Sequence, residues 1–500
     1  MRQQAVRVMW AKLRALERFR PLQLVTLTAL LAAIGLLCFR HKLSVLGADI
    51  WWHLKVGDWI VQHGAFPHDG ILSRTAAGRP WAAYSWGYEV LLSRAYAWFG
   101  LVGVGICGTA LALMVAFSVF WMTRRLSGRF WLACLLAAVC CYAFLLLRIA
   151  PRPGFFSIAF FCVVLTLVLE ANRTGRVQNL YWLPLVFLFW ANLHIQFIYG
   201  LSVLGLLLAV NIAQQVGERM GIGPSYLVPR SLLTAQVAIV LVACVLATMI
   251  GPYSYHLYGV IFRYSQAKVP YTTVLELQPF RLRLYSNYAQ LLLAGAAFLV
   301  VGWRKKVDLF KLSLLAITTI VAFRTMRDAS FQCVAAAACI ADVAFQDSQS
   351  ETRETPLQLG GVFAAVALLL LLGARSVDFN ERGLFGAISS RFPVNAVDFL
   401  RRNPPPGPLW NIFDWGGFLS WYMPQYPVAI DGRTDLYGDE LDKLFYQTEM
   451  GDASYRHDPY LNQSGVVLLR TRDGLVPLLE KDSRFDKVYE DKIASVFVRR

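Results

Sequence analysis

The chain has 500 residues, of which 57% are hydrophobic and 16% charged, against about 25% charged in an average soluble protein. The apolar excess is gathered in long blocks, which excludes an ordinary soluble globular chain and makes a bilayer the natural solvent. The formal net charge of +16 comes from Lys and Arg in short connections between those blocks, where orientation signals and anionic headgroups account for it. No nucleic-acid-binding motif occurs, so no nucleic-acid partner is expected. The nine cysteines lie in or beside apolar blocks without a CxxC pair, which excludes a disulfide framework or a zinc site and leaves buried thiols.

In chain order, residues 1–20 form a basic segment expected on the cytoplasmic side. The run Pro21 to Phe39 carries no charged side chain, and at about 1.5 Å per residue it approaches the ~30 Å hydrocarbon core. Arg40, His41 and Lys42 follow it in place of a small-residue cleavage site, so it reads as a retained span. A window of about 19 residues gives about eleven spans, centred near residues 30, 110, 138, 162, 188, 205, 240, 295, 316, 336 and 366. The basic connections at 124–129, 172–176 and 303–306 belong with the N-terminus on the cytoplasmic side, and an odd number of spans then puts the C-terminus outside.

A membrane domain is therefore expected over 21–374, with outer loops at 44–89 and 251–288. Residues 375–500 change in composition, alternating the β-like runs LWNIF, PVAID, GVVLLR and ASVFVRR with helical stretches such as GLVPLLEKD. That pattern predicts a small extracytoplasmic α/β domain. Pro404 to Pro406 reads as a stiff turn near its entry.

The first outer loop holds the busiest chemistry. From Ile50 the pattern is helical: Trp52, Val56, Trp59 and Ile60 form one apolar stripe suited to the outer membrane surface, with His53, Lys55 and Asp58 off it. Asp49 precedes this helix. It is either an N-cap, worth about 1 kcal/mol, or a base or metal-binding carboxylate at the lipid–water boundary. Downstream, the loop supplies Asp69, Arg79, Trp81, Trp86 and Glu89. The arginines of RIAPRPG (Arg148, Arg152) and AFRTMRD (Arg324, Arg327) fall on the outer side, against the usual bias. A guanidinium fork suits phosphate, although snorkelling to headgroups would also place arginine there. Arg152 and Arg324 are favoured. His194, in WANLHIQF, serves either helix packing or a site.

Taken as a series, DIWWHLKVGDWI, FPHDGILSRT, GRPWAAYSW, RPGFFS, LFWANLHIQF, AFRTMRDASF, DWGGFLSW and AIDGRTDLYGD resembles a family of bacterial multi-pass proteins placed with the GT-C glycosyltransferases. The resemblance covers nearly the whole chain. It implies a GT-C-like bundle in the bacterial inner membrane that takes a sugar from a polyprenyl-phosphate carrier and transfers it, with inversion, outside the membrane. The acceptor would be a glycan, lipid or protein. Asp49 matches the family's first-loop acid, acting as base or through a divalent cation, Mg or Mn; no cofactor is fixed by the motifs. His53, Asp69, Trp86, Glu89, Arg152, His194, Arg324 and Arg327 become substrate-binding candidates. The segment IFDWGGFLSWYMPQYPVAIDGRTD is distantly similar to the W-W-D-Y-G segment of oligosaccharyltransferase catalytic subunits, which makes Asp414, Trp415, Asp431 and Arg433 acceptor-side candidates. Two departures stand out: Gly47 occupies the place of a first acid, and Tyr84-Ser85-Trp86 stands where relatives read H-E-W. A lipid-linked-saccharide flippase and a non-catalytic scaffold of the same fold stay open as alternatives.

Overall fold

The computed structural model describes residues 20–145, 152–222, 226–229, 232–282, 284–345 and 378–500. The N-terminal basic segment up to residue 19, Arg148 and the span expected near 366 lie outside the described residues. The bundle is built from helices α1 (Arg20–His41), α2 (Asp49–His63), α3 (Trp86–Ser127), α4 (Phe130–Cys140), α5 (Gly154–Thr174), α6 (Leu183–Leu193), α7 (Phe197–Arg219), α8 (Thr234–Thr248), α9 (His256–Gln266), α10 (Tyr285–Gly302), α11 (Leu309–Arg324) and α12 (Ala329–Phe345). Among the described residues, six helices are long and apolar enough to cross a membrane, so the chain is a multi-pass helical membrane protein. The centres expected near 138, 188, 240 and 316 fall on α4, α6, α8 and α11, which have 11, 11, 15 and 16 residues. Each is shorter than the ~20 residues that span a bilayer alone.

The helix ends organise the charge. Arg173, at the end of α5, donates to Asp342 Oδ1 at 2.7 Å and to the Leu126 carbonyl at 3.1 Å. Lys311 Nζ reaches Asp342 Oδ2 at 2.7 Å, and Arg304 donates to the Val343 carbonyl at 2.9 Å. The basic connections expected on one side thus converge at one end of the bundle. Buried ionic groups at helix ends are tolerable when each charge has such partners.

Helix α3 breaks at Gly100, whose φ of 57° and ψ of −144° suit glycine. The freed backbone N–H of Leu101 donates to Glu381 Oε1 at 2.7 Å, a carboxylate at a new helix N-terminus. Glu381 opens α13 (Glu381–Ser389), followed by α14 (Val394–Arg402). The chain then forms β1 (Leu409–Asn411), α15 (Phe413–Tyr422), α16 (Thr434–Glu449), β2 (Val466–Arg470), β3 (Phe485–Glu490) and β4 (Ala494–Arg499). The sheet order is β1-β2-β4-β3, with β1 parallel to β2 and the other pairs antiparallel. Three expected strands match this sheet. The fourth expected run, PVAID, is not a strand of it; Val428 instead bridges to Ser73 of the 44–89 loop. Strand β3 has a mostly exposed face, an edge position whose polar residues carry no apolar alternation to read.

Helix α2 differs from expectation in its setting. Its stripe of Trp52, Val56 and Ile60 is buried, and so is His53, because α2 packs between α3 and α15 and not along the lipid surface. Gly57 permits this crossing: a Cβ there would run into the Glu89 carbonyl of α3.

Candidate functional site

At the end of the bundle away from the basic connections, a cavity of about 180 Å³ opens where α2, the start of α5, the α6–α7 connection, the 251–288 loop and the C-terminal domain meet. Helix α5 runs from this cavity at Gly154 to the basic end at Arg173. Asp49, His53, Arg152, His194 and Arg327 all line it, together with Glu276. Five candidates scattered over some 280 positions are therefore brought into one hollow.

Asp49 is the first residue of α2. The N-cap is Ala48 and no side chain caps this end, so Asp49 does not cap the helix; its carboxylate is instead directed to the site, where Oδ1 accepts from Trp52 Nε1 at 3.3 Å. It is half-buried and lines the cavity. Burial lifts its carboxyl above the usual range, opposed by the Arg152 guanidinium and reinforced by Glu276.

One turn on, His53 Nδ1 lies 3.0 Å from Glu89 Oε1, both side chains being buried. The close α2–α3 crossing at Gly57 sets this contact. Burial drives His53 well below the ordinary imidazole range, and His194, Arg152 and Arg433 push the same way. His194 is likewise pushed down to about 3 by burial, with Arg327 adding to it. Its Nδ1 pairs with Ser157 Oγ at 2.8 Å, and that oxygen accepts from Trp190 Nε1 at 2.7 Å.

The cationic side is formed by Arg152, ion-paired with Glu276, and Arg327, whose Nε is 4.0 Å from Asp328 Oδ1 and whose Cζ lies 5.6 Å over the Tyr264 ring. Phe144, Phe155 and Ile158 supply an apolar wall. The C-terminal domain contributes Phe413, Gly432 and Thr434. Gly432 is held by a turn in which Arg433 donates to Asp431 through Nε and Nη2 at 2.9 and 2.6 Å, both side chains fully buried. A Cβ on Gly432 would collide with the Asp49 carboxylate. The guanidinium also lies 4.7 Å over Trp81, whose Nε1 donates to Asp435 Oδ2 at 3.1 Å.

The remaining candidates stand elsewhere. Glu89, Asp431 and Arg433 lie behind the wall and reach the cavity through His53 and Gly432. Trp86 donates to Asn192 Oδ1 at 2.9 Å, and the Asn192 amide donates to the Ile250 carbonyl at 2.8 Å, tying the first loop to the span ends. Asp69 is exposed and lines a second hollow between that loop and the C-terminal domain. Arg324 is exposed over Tyr271 at 5.4 Å, outside the cavity; Arg327, three residues later and past the helix end, turns into it. Asp414 is exposed in an ion pair with Arg470, and Trp415 is buried beside that arginine. Glu276, Tyr84, Tyr264 and Thr434 were not singled out by pattern. Glu276 had a readable signal, as the sole acid in the loop 251–288.

In fold, the chain matches the crystal structure of the Archaeoglobus fulgidus oligosaccharyltransferase, solved in complex with Zn and sulfate. The match has a TM-score of 0.50 at 12% identity and covers 95% of this chain and 73% of that one. The two chains share a fold. Two crystal structures of ArnT from Cupriavidus metallidurans are also similar to this chain. The one bound to undecaprenyl phosphate has a TM-score of 0.46, the apo form 0.45, each at 13% identity over 94% of this chain and 97% of ArnT. No family model matches the sequence, and no curated protein does.

A divalent ion would need a set of carboxylate, imidazole or thiolate donors. Among the described residues, no group of three or more such side chains stands together. Glu276 is engaged by Arg152, and His53 Nδ1 by Glu89. A metal site closed by protein ligands alone is therefore absent among the described residues.

Proposed function

We propose that the chain is a membrane glycosyltransferase that moves a sugar from a polyprenyl-phosphate-linked donor to an acceptor on the outer side of the bacterial inner membrane. The observation that carries this reading is one hollow, at the end of an apolar bundle, walled by the Asp49 carboxylate and the Arg152 and Arg327 guanidiniums. The fold shared with an oligosaccharyltransferase agrees with it.

In the reaction, the acceptor hydroxyl attacks the anomeric carbon while Asp49 takes its proton. The new glycosidic bond forms as the bond from that carbon to the phosphate oxygen breaks, and the electron pair leaves with the lipid phosphate. Arg152 and Arg327 hold that phosphate and offset the charge it gains. A single direct displacement inverts the anomeric centre. The raised carboxyl of Asp49 makes it a stronger proton acceptor than a solvated Asp. His53 and His194, kept neutral by burial, add no charge and position the sugar hydroxyls.

The test is transfer by the full chain in proteoliposomes supplied with polyprenyl-phosphate sugars and an envelope-glycan extract as acceptor. Asp49→Asn is expected to lower transfer by ~10²- to 10⁴-fold, the usual worth of a general base, with unchanged insertion and thermal unfolding. Wild-type rates in the variant would reject Asp49 as the base. Net lipid translocation without transfer by the wild type would instead favour a flippase.

A further inference from the structure

Proton transfer to Asp49 makes no use of the buried pair between α2 and α3. The Glu89 side chain, from the first turn of α3, is 1% exposed and meets His53 Nδ1 at 3.0 Å through Oε1. Its other oxygen, Oε2, is buried with no hydrogen-bond partner. His53 is held neutral by burial, so its ring carries one proton, and two arrangements of the pair are open. Either an ionised Glu89 accepts from Nδ1–H, or a neutral Glu89 donates its own O–H to a bare Nδ1 and the ring proton sits on Nε2. The orphaned Oε2 decides between them. A carboxylate spreads its charge over both oxygens, and leaving one of them dry and unpaired is costly; the carbonyl oxygen of a neutral acid tolerates the same place far better. The ring is also held in position, lying against Trp52 at 3.5 Å between centroids and edge-on to Tyr88 at 5.2 Å.

Resting on the glycosyltransferase reading, we infer that Glu89 is a positioning residue: as a neutral acid donating to Nδ1, it fixes His53 in the tautomer that turns an Nε2–H donor toward the substrate. His53 lines the hollow and Glu89 does not. With Nδ1 taken up behind the wall, the opposite edge of the ring, carrying Nε2, is the one left for a ligand. Asp49 and His53 stand four residues apart on α2, hence as neighbours on one helix face, and both line the cavity. One accepts and the other donates. A substrate hydroxyl between them gives its hydrogen to Asp49 and takes one from His53 on a lone pair, which leaves its second lone pair for attack. In the other tautomer Nε2 and Asp49 would both be acceptors competing for one hydrogen, and the hydroxyl would have two binding senses. Glu89 touches no substrate; it acts through His53, by removing one of those two senses.

The tautomer is read without substrate, by solid-state NMR of the full chain in lipid bilayers with isotope-labelled histidine, the His53 signals being assigned by their loss in His53→Phe. The wild type is expected to show a bare Nδ1 and a protonated Nε2. Glu89→Leu should mix the two tautomers and lower transfer in proteoliposomes about tenfold, the worth of one hydrogen bond. Glu89→Gln, whose amide donates to Nδ1 in place of the acid, should keep the Nε2–H form and recover most of that rate. A wild-type Nδ1–H tautomer, or a charged ring, overturns the inference. So does a folded Glu89→Leu variant with an unchanged tautomer, or one with a changed tautomer and wild-type transfer. Should Glu89→Leu fail to fold, the wild-type spectrum decides alone. A wild type that shows Nε2–H and transfers no sugar overturns the glycosyltransferase reading, while the placement of the proton by Glu89 stands.

Discussion

Replacing Gly432 by alanine separates the site from the fold. The turn of the C-terminal domain approaches α2 so closely that a methyl group there would overlap Asp49 Oδ1 and sit 3.1 Å from Trp52 Nε1. The overlapped atom is the tip of a side chain, so Asp49 can rotate away and the backbone need not move. The fold cost should stay near the low end of the ~1–3 kcal/mol of an overpacked site. Function has no such escape. The carboxylate must retreat by about 1 Å and release Trp52, and a misplacement of that size costs about 10²-fold in rate. Gly416→Ala is the contrasting variant: its Cβ would meet the Ile430 backbone carbonyl and Asp431, which cannot rotate aside, so that protein should lose thermal stability outright. The assay is transfer in proteoliposomes together with thermal unfolding of both variants. A Gly432→Ala protein with wild-type kcat/KM would refute the idea that the C-terminal turn sets the position of Asp49.

Three further outcomes can be checked. Arg327→Ala should reduce binding of a polyprenyl-phosphate probe by tenfold or more, the worth of a charge-assisted hydrogen bond of ~1.5–3 kcal/mol, whereas Arg324→Ala should leave it near wild type; titration by fluorescence quenching distinguishes them. Arg433→Ala strips the partner from the fully buried Asp431 and should destabilise the protein by ~3–5 kcal/mol, read by denaturant unfolding. In α16, neither carboxylate oxygen of Asp442 has a hydrogen-bond partner, and burial, with Asp439, Asp435 and Asp431 adding, raises its carboxyl to about 8. The folded state then holds a proton that the unfolded chain releases at its ordinary carboxylate value. Stability from this group is complete below that value and is lost as pH rises toward 8. Asp442→Asn should flatten that loss, seen as a smaller fall in Tm between pH 5 and pH 8.

The apolar blocks and the arginines beside them were legible because bilayer solvation imposes long uncharged runs and penalises every exception. Asp49, His53, Arg152, His194 and Arg327 could each be picked out as such exceptions. What could not be read was their mutual placement. Arg324 and Arg327 look equivalent in sequence, yet α11 ends at Arg324, and the turn that follows sends only the second into the cavity. The surface stripe of α2 was sound in period but faces protein, because periodicity reports which residues are buried and not what buries them. Glu276 was passed over amid a polar loop, although a single acid there was visible. The approach of Gly432 to Asp49 left no trace in local pattern, since it depends on a contact between positions far apart in the chain.

That contact ties competence to completion. Phe413, Gly432 and Thr434 of the C-terminal domain line the hollow, while its acid stands some 360 positions earlier in the chain. A nascent chain halted before residue 413 would present the carboxylate on an open face, with no pocket in which to hold a reactive glycosyl group. Docking of the C-terminal domain against α2 is therefore a condition for the hollow, and for any chemistry performed in it.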